Sequence, residues 1–381
     1  GKEESGGLGE KTRKGKGDCS RAAPPFPGLS PQEDGKPVLR IPSTQSIKNK
    51  SHASGHSKSK MPRRDPSTQS MKDNTKANSH TNLRPQFRRR NKERRCPMHN
   101  KKRPPRVACI NDLSGYGRCS LTTAIAVLSA MGVQACPAPT AILSKHTGFP
   151  HFTFQDFTPH LGAYLADWGE LEFDAVYTGF LGSAEQIRLV EDFLAQQRAR
   201  QHTPPHVIID TVMGDGGKLY PTYTPDMCRR MKRLVSHADV ITPNITEACI
   251  LTDTDYPGEE LSTAQARALA CRLYDLGAGA VVITGIVREP VLCNLVYDGR
   301  ELYFDAEDRT ERMFSGTGDL FASIVSARLA AGGTLPEAVT LAGSFIAAAT
   351  RYTLSLGTPT QEGVCFEPCL SRLAPGQDVK E

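Results

Sequence analysis

The segment Met313–Gly333, MFSGTGDLFASIVSARLAAGG, joins a glycine turn to the start of an apolar helix. Gly316 and Gly318 flank Thr317, and apolar residues recur with helical spacing from Leu320 onward. The N–H groups in the first turn of a helix have no partner within the helix, and the helix dipole makes that end attract anions. Glycine lets a phosphate come close to the backbone because it has no Cβ. We therefore predict an anion site at the N–H groups of Gly316, Thr317 and Gly318.

Asp319 stands in the first turn of the same predicted helix. A carboxylate beside a bound anion is unfavourable unless it has a chemical task, and accepting the proton of an attacking hydroxyl is such a task. In the simpler alternative, Thr317 and Asp319 only cap the helix and the glycines only make the turn. The segment alone leaves both interpretations open.

The chain divides into two parts of opposite charge. Residues 1–106 hold 27 of the 47 Lys and Arg residues but only 9 of the 41 Asp and Glu residues. The remainder is therefore acidic, although the whole chain has a net charge of +6. This shift of composition near Arg106 predicts a boundary between two different kinds of segment.

Residues 1–105 are rich in Ser, Lys, Arg, Asn, Gly and Pro and have no hydrophobic period. Such a segment cannot bury enough apolar surface to offset its conformational entropy, so we predict that it is a disordered extension. Its arginine clusters could attract nucleic acid by charge, but interleaved aromatics and zinc-ligand spacing are absent, so no specific nucleic-acid binding is expected. Met98 is a natural start for the globular part, and residues 98–381 are expected to carry the full activity and stability.

Several classes of protein are disfavoured by composition. The sequence contains no run of 18 or more apolar residues and no secretory signal, so we predict no membrane span and no secretion. The eleven cysteines are scattered without the spacing of a disulfide framework or a zinc site. This pattern is typical of reduced thiols, and a cytoplasmic location is predicted.

Between Arg106 and Pro375 apolar strands alternate with amphipathic helices. Strands are predicted at 107–110, 133–137, 140–143, 175–180, 206–210, 240–242, 280–284, 291–297 and 301–304. Helices are predicted at 120–131, 155–168, 184–200, 225–236, 245–251, 263–276, 319–331 and 335–356. This alternation indicates an α/β sandwich, in which helices cover both faces of a mostly parallel sheet. We assign residues 106–375 to this one domain and 376–381 to a short tail.

Polar side chains follow several of the predicted strands. Asp210 and Asp215 come after one strand, and Asn244 and Glu247 come after the next. The carboxyl ends of parallel strands meet at one edge of a sheet, where ligands bind, and these oxygen donors suit a Mg²⁺–nucleotide site. Alternatively, Asn244 and Glu247 form only a capping box. The joint pattern of polar strand ends and glycine turn favours phosphoryl transfer. The P-loop motif and the protein-kinase motifs are both absent from the sequence.

Four motifs, in order, resemble those of the ribokinase superfamily and within it the pyridoxal kinases. FSGTGDLFAS at Phe314–Ser323 is similar to the superfamily signature. The other three are SKHTGF from Ser144, DTVMGD from Asp210 with Thr211 where the family has proline, and ITPN at 241–244 followed by Glu247. The resemblance extends over about 260 residues, which is far more specific than a single glycine motif. It implies a ribokinase-like three-layer sandwich that phosphorylates the hydroxymethyl group of a B6 vitamer, with ATP and Mg²⁺.

The resemblance also implies site roles at the matched positions. Asp319 is expected to be the general base, with Gly316, Thr317 and Gly318 stabilising the transferring phosphoryl group. Asp215 and Glu247 are expected to hold Mg²⁺. Contacts to the substrate are expected from Asp112, Thr147 and Phe180. Contacts to the nucleotide are expected from Asp210, Thr242, Asn244, Thr284 and Tyr220. The resemblance further implies that the protein forms a homodimer and binds a monovalent cation such as K⁺.

Asp112 departs from the pyridoxal kinase pattern, because many of those enzymes have serine at this position. The DLSG sequence from Asp112 resembles instead the hydroxymethylpyrimidine kinases of thiamine synthesis. Those enzymes usually carry G-T-G-C where this chain has Gly316 to Asp319, and they lack an acidic residue at Asp215. The sequence thus favours a B6-vitamer kinase over a hydroxymethylpyrimidine kinase. An inactive binding protein on the same fold is a third alternative.

Overall fold

A ten-stranded sheet forms the centre of the computed structural model, which describes residues 103–376 and the short strand at 39–41. The strands are β1 (Leu39–Ile41), β2 (Arg106–Ser114), β3 (Gln134–Leu143), β4 (Phe154–Asp156), β5 (Ala175–Thr178), β6 (His206–Ile209), β9 (Val240–Ile241), β10 (Val281–Arg288), β11 (Val291–Tyr297) and β12 (Leu302–Asp308). Two further strands, β7 (Gly214–Asp215) and β8 (Lys218–Leu219), form a separate small hairpin. The order across the large sheet is β1-β12-β11-β10-β9-β6-β5-β2-β3-β4.

The middle of this sheet is parallel, as the alternation of strands and helices predicts. The parallel pairs run continuously from β3 through β2, β5, β6 and β9 to β10. Antiparallel strands flank them, with β4 at one end and β11, β12 and β1 at the other. The carboxyl ends of the parallel strands therefore share one edge of the sheet.

Eight helices in the described residues cover the two faces of the sheet. They are α1 (Ser120–Ala130), α2 (Thr158–Ala166), α3 (Ala184–Arg200), α4 (Pro225–Val235), α5 (Ile245–Thr252), α6 (Thr263–Asp275), α7 (Thr317–Ala330) and α8 (Leu335–Leu356). One buried core packs α2 to α6 against the sheet, and a second packs α1, α7 and α8 against the opposite face. The predicted three-layer α/β sandwich is confirmed.

Three predicted elements differ from the structure. The strands predicted at 133–137 and 140–143 are one strand, β3, despite Pro137 and Pro139. One side of β3 pairs with β2, whereas β4 covers the other side only from Ala141 to Leu143, so the prolines lie where that side has no partner strand. The helix predicted at 155–168 is instead β4 followed by α2. Asp156 ends the strand, and its Oδ1 accepts the N–H of Thr158 at 2.9 Å.

The strand β1 lies within the segment that we predicted to be a disordered extension, and at these three residues the structure differs from that prediction. Leu39–Ile41 pairs antiparallel with Leu302–Phe304 at the edge of the sheet. A short extended segment can add to an open sheet edge through backbone hydrogen bonds alone. The remaining prediction for 1–105 concerns residues that are almost all outside the described part, and it stays a prediction.

Removal of residues 1–97 is predicted to leave turnover and the unfolding midpoint unchanged. Three backbone pairs at a sheet edge contribute little beside two extensive buried cores. The measurement compares thermal unfolding and turnover of the full chain and of residues 98–381. A drop of the midpoint by several degrees in the shorter chain would show that β1 or its flanks stabilise the domain.

Candidate active site

The first turn of α7 lies at the carboxyl ends of the parallel strands. Gly316, at its N-cap, has φ 80°, in the left-handed region that favours glycine. A Cβ at this position would lie 1.8 Å from the carbonyl oxygen of Arg118, so a side chain is excluded. Glycine therefore allows the turn before α7 to pack directly against the turn before α1.

The N–H groups of Gly316, Thr317 and Gly318 donate no hydrogen bond to any other residue within 103–376. The hydroxyl of Thr317 is turned back toward the carbonyl of Phe314, at 3.4 Å. Gly318 is exposed, and its neighbours are half-buried, so an anion can approach from solvent. The predicted anion site therefore has the unpaired donors that it requires.

Asp319 is half-buried, and protein donors surround its carboxylate. Its Oδ1 accepts hydrogen bonds from Asn111 Nδ2 at 3.0 Å and from the Tyr177 hydroxyl at 3.2 Å. The backbone N–H of Ser120 also acts to lower the pKa of this carboxylate. Burial raises the pKa of Asp319 to about 6, with the nearby charge of Asp112 acting in the same direction and the hydrogen bonds opposing it. A carboxylate with this pKa is ionised at neutral pH and is a stronger base than an exposed aspartate.

Asn111 connects Asp319 to the sheet, a function that the sequence did not predict. Its side chain is 1 % exposed, and its Oδ1 accepts the N–H groups of Asp112 at 2.9 Å and Phe180 at 2.7 Å. A Cβ on Gly179 would lie 2.3 Å from Asn111 Nδ2, so glycine is required beside it. Asn111 thereby holds the backbone of Phe180 and the carboxylate of Asp319 at the same time.

The side chain of Asp112 is 7 % exposed and faces two serines. The hydroxyl of Ser114 donates to Oδ2 at 2.8 Å, and the hydroxyl of Ser120 donates to Oδ1 at 2.6 Å. Burial raises the pKa of Asp112, whereas the two hydroxyl donors lower it. Both carboxylate oxygens thus have partners inside the protein, although Asp112 was predicted to contact substrate.

Thr147 is exposed in the loop between β3 and β4, and its neighbour His146 anchors that loop. The Nδ1 of His146 accepts the N–H of Gly148 at 3.1 Å, so Nε2 carries the proton that is donated to the carbonyl of Gln361 at 2.6 Å. The backbone N–H of His146 donates to the carbonyl of Tyr116 at 3.3 Å, which places the loop beside the turn after β2. Within the described residues no hydrogen bond joins Thr147 to the residues around Asp319.

A second group of carboxylates follows β6 and β9. Glu247 Oε2 accepts the hydroxyl of Thr211 at 2.9 Å and the N–H of Asn244 at 3.0 Å, and Oε1 accepts the N–H of Met213 at 3.0 Å. Asn244 Oδ1 in turn accepts the N–H of Glu247, so the capping box is present. Burial raises the pKa of Glu247 to about 7. The capping box is therefore present in the structure. Glu247 is at the same time a buried acidic group at the site.

Asp210 lies between Glu247 and the first turn of α7. Its Oδ1 accepts the hydroxyl of Thr242 at 3.3 Å, and a Cβ built on Gly318 would lie 3.7 Å from its Oδ2. Burial raises the pKa of Asp210 strongly, and the charges of Glu247 and Asp319 raise it further. Asp210 thus lies close enough to both acidic groups for their charges to act on it.

The other residues that were predicted to contact the nucleotide or its Mg²⁺ lie around these carboxylates. Thr284 forms a parallel bridge with Asn244 and donates its N–H to the carbonyl of Pro243 at 2.9 Å. Tyr220 lies beside the β7–β8 hairpin, and burial and the nearby carboxylates raise its pKa. Asp215 is exposed in that hairpin, with Oδ1 accepting the N–H of Gly216 at 2.8 Å. The hairpin itself was not predicted, because its strands are two residues long and carry no hydrophobic alternation.

Three general findings bear on the site and the chain. No group of three or more His, Cys, Asp or Glu side chains within the described residues is arranged to hold a metal ion. A cation there needs water or phosphate oxygens as well, which is the usual coordination of Mg²⁺ in proteins. The nine cysteines of the described residues form no disulfide with one another. Among the helices described, none has the length and apolar character needed to cross a membrane.

Comparison with known proteins identifies relatives of this chain. The sequence pattern of the phosphomethylpyrimidine kinase family matches residues 119–363. A pyridoxine/pyridoxal/pyridoxamine kinase of Bordetella avium is 29% identical over 265 residues, covering 65% of this chain and 85% of the relative. A hydroxymethylpyrimidine/phosphomethylpyrimidine kinase of Mycobacterium bovis is also 29% identical, over 260 residues that cover 67% of this chain and 91% of the relative.

A solved structure from Bacteroides thetaiotaomicron, named as a candidate phosphomethylpyrimidine kinase and determined in a form with pyridoxal, has the same fold. Its TM-score is 0.67 at 35% sequence identity, and the match covers 71% of this chain and 96% of that chain. The names of these proteins thus cover both the kinases of B6 vitamers and the kinases of hydroxymethylpyrimidine or its phosphate.

Proposed function

The chain belongs to the phosphomethylpyrimidine kinase family, and we propose that it transfers the γ-phosphoryl group of ATP to the hydroxymethyl group of a B6 vitamer. The observation that carries this proposal is the position of Asp319. Its carboxylate, with a pKa of about 6, lies in the same helical turn as the unpaired N–H groups of Gly316, Thr317 and Gly318. A base and an anion site side by side are what a hydroxyl phosphorylation requires.

The proposed reaction uses Asp319 and the turn together. Asp319 accepts the proton of the hydroxymethyl group as its oxygen attacks the γ-phosphorus, and ADP leaves with the electrons of the broken P–O bond. The N–H groups of the turn stabilise the charge on the transferring phosphoryl group. Asn111 and Tyr177 hold the carboxylate in place through donation to Oδ1. Asp112, Thr147 and Phe180 remain the candidates for contact with the pyridine ring.

The carboxylates after β6 and β9 fit a Mg²⁺ ion that accompanies ATP. Asp215 and Glu247 would hold the ion, Glu247 through a water molecule because three protein donors already occupy its oxygens. Mg²⁺ supplies charge that neutralises the phosphates of the nucleotide. Asp210, Thr242, Asn244, Thr284 and Tyr220 are the proposed neighbours of the nucleotide, and the cluster also suits a monovalent cation such as K⁺.

Two variants separate the proposed cation role from the capping role. Asp215→Asn should raise the Mg²⁺ concentration needed for half-maximal turnover without a change of stability, because Asp215 is exposed. Glu247→Gln should raise it too, and should also lower the unfolding midpoint by several degrees because glutamine cannot accept all three donors at once. Magnesium titrations of turnover and thermal unfolding test both variants. If the Mg²⁺ dependence of turnover is unchanged in both variants, Glu247 has only the capping role.

The preference for a B6 vitamer is supported by three features of this chain. Asp319 stands where hydroxymethylpyrimidine kinases usually carry cysteine, Asp215 supplies an acidic residue that they lack, and residues 146–148 resemble the pyridoxal kinase segment. The structural relative crystallised with pyridoxal adds to this support. Asp112 favours the second candidate, hydroxymethylpyrimidine kinase. This candidate is also supported because the identity to such an enzyme, 29%, equals the identity to the B6-vitamer kinase.

The experiment is an ATP-dependent phosphorylation assay of pyridoxal, pyridoxamine, pyridoxine and hydroxymethylpyrimidine under matched conditions. We expect kcat/KM for one or more B6 vitamers to exceed that for hydroxymethylpyrimidine by at least about tenfold, a difference of about 1.4 kcal/mol in transition-state binding. The reverse order would assign the chain to thiamine synthesis. Absence of transfer to all four acceptors would support a binding protein on this fold.

A further inference from the structure

A short segment after α8 returns to the edge of the sheet where the proposed active site lies. It contains one turn of 3₁₀ helix, Thr360–Glu362, which we call the strap. The sequence did not predict this turn, and the proposed reaction does not use it. The backbone that follows is fixed, because residues 364–366 are buried and the N–H of Cys365 donates to Thr353 Oγ1 at 2.8 Å.

Two carbonyls of the strap accept N–H groups from turns beside the proposed base. The carbonyl of Thr360 accepts the N–H of Ser315, in the glycine turn before α7, at 3.1 Å. The carbonyl of Glu362 accepts the N–H of Arg118, in the turn before α1, at 3.2 Å, and its guanidinium at 3.3 Å. These hydrogen bonds fix the strap to the glycine turn that carries the unpaired N–H groups.

The third carbonyl, that of Gln361, accepts a hydrogen bond from the loop between β3 and β4. The donor is Nε2 of His146, at 2.6 Å. A Cβ on Gly117 would lie 2.3 Å from Cδ2 of the imidazole, and a Cβ on Gly148 would lie 2.7 Å from its Cε1. Phe149 packs against the ring at an angle, with the ring centroids 4.8 Å apart. The imidazole can therefore reach the strap because both of these positions are glycine.

We propose that the strap positions the loop that carries Thr147, and that His146 is the positioning residue through which it does so. Thr147 follows His146 in the chain, so the hydrogen bond to Gln361 sets where Thr147 lies relative to the glycine turn. Loops at the end of a sheet move independently unless they share partners, and a loop that is already fixed binds its ligand at a lower entropic cost. The inference rests on the proposed function, in which Thr147 contacts the acceptor.

The strap should affect the acceptor and the nucleotide differently. It contacts the loop between β3 and β4 and the turns before α1 and α7. Most of the residues proposed to contact the nucleotide lie elsewhere, after β6 and β9 and in β10. Loss of the hydrogen bond from His146 should therefore raise KM for the acceptor and leave KM for ATP nearly unchanged.

The test compares His146→Leu and His146→Gln in the full chain, with kcat and KM for ATP and for whichever acceptor the parent phosphorylates. Leucine keeps an apolar side chain beside Phe149 but donates no hydrogen bond. His146→Leu should therefore raise KM for the acceptor about tenfold, with KM for ATP within about twofold. Glutamine retains an N–H donor, so His146→Gln should raise KM for the acceptor by about threefold or less.

His202 provides the matched control for the histidine variants. It is exposed and precedes the amino end of β6, at the opposite edge of the sheet from the site. His202→Leu should keep the parental kcat and both parental KM values.

Gly363→Ala changes the strap itself. Gly363 has φ 79°, and an added Cβ would lie 2.9 Å from the Cβ of Arg118 and 3.0 Å from its carbonyl oxygen, so the strap must shift. This variant should also raise KM for the acceptor about tenfold. Gly376→Ala is its control and should keep the parental KM, since Gly376 has φ 82° and an added Cβ would meet no atom within 4 Å.

The inference is overturned if His146→Leu leaves KM for the acceptor within about twofold of the parent, whatever its unfolding midpoint, or if KM for ATP rises as much as KM for the acceptor. Equal acceptor KM values for the leucine and glutamine variants would also overturn it, because the hydrogen bond would then have no part in the effect. If Gly363→Ala does not fold, the two His146 variants still decide. Failure of the parent to phosphorylate any acceptor would instead contradict the proposed function.

Discussion

Asp319→Asn is expected to reduce turnover by about 10²–10⁴-fold while KM for the acceptor changes little. Asparagine keeps the size of the side chain, and its Oδ1 can still accept the hydrogen bonds of Asn111 and Tyr177. It cannot accept the proton of the hydroxymethyl group. If Asp319 were only a helix-capping residue, asparagine would serve equally well and turnover would remain parental.

The stability of this variant is expected to equal or exceed that of the parent above pH 6. Burial raises the folded-state pKa of Asp319 to about 6, so the ionised carboxylate destabilises the fold at neutral pH, and this penalty declines as the pH falls from about 6 to the unfolded-state pKa of about 4. With allowance for partial exposure, the gain is about 1–2 kcal/mol at pH 8. Asp226→Asn, in the first turn of α4 and away from the site, is the matched control and should keep parental turnover. Thermal unfolding at pH 8 and pH 5 measures the difference.

Gly316→Ala is expected to lower both stability and turnover strongly. A Cβ would lie 1.8 Å from the carbonyl oxygen of Arg118, and the residue would still have to adopt φ 80°. The turn must move, which would displace Asp319 and the N–H groups of the anion site. We expect a loss of about 3 kcal/mol or more, a midpoint lower by about 6–12 °C, and a turnover at least about 10²-fold lower.

Gly357→Ala provides the control for the conformational part of this effect. Gly357 ends α8 with φ 68°, also in the left-handed region, but an added Cβ would meet no atom within 4 Å. It should lose about 1 kcal/mol and keep parental turnover. Equal effects of the two alanine variants would show that the close approach of Gly316 to Arg118 has no special importance.

Local patterns in the sequence were sufficient to predict the fold and to place the candidate base in the first turn of a helix. The glycine turn and the helical period from Leu320 predicted the start of α7, and the polar strand ends predicted that Asp210 and Glu247 would lie together. The capping box at Asn244 and Glu247 was visible from a spacing of three residues. Each of these signals lies within one segment or follows from the topology of a parallel sheet.

Contacts between distant segments could not be predicted in this way. Asn111 and Asp319 are 208 residues apart, and nothing in either segment indicates their hydrogen bond. The left-handed conformation of Ser120 depends on Asp112 and on the approach of Gly316, so no local propensity indicates it. Tyr177 did give a signal, because a tyrosine inside an otherwise apolar strand needs a partner for its hydroxyl. Only the folded structure shows which residue is the partner of this hydroxyl.

The most direct test of the central claim is to identify the product that forms from pyridoxal, ATP and Mg²⁺. Phosphorus NMR of the reaction should show one new phosphate ester whose phosphorus couples to the two methylene protons of the former hydroxymethyl group. In the matched reaction, 5-deoxypyridoxal, which lacks that hydroxyl, should yield no ester. The account predicts an ester on the 5′ oxygen alone. Release of inorganic phosphate without an ester, or an ester on the ring hydroxyl, would contradict it.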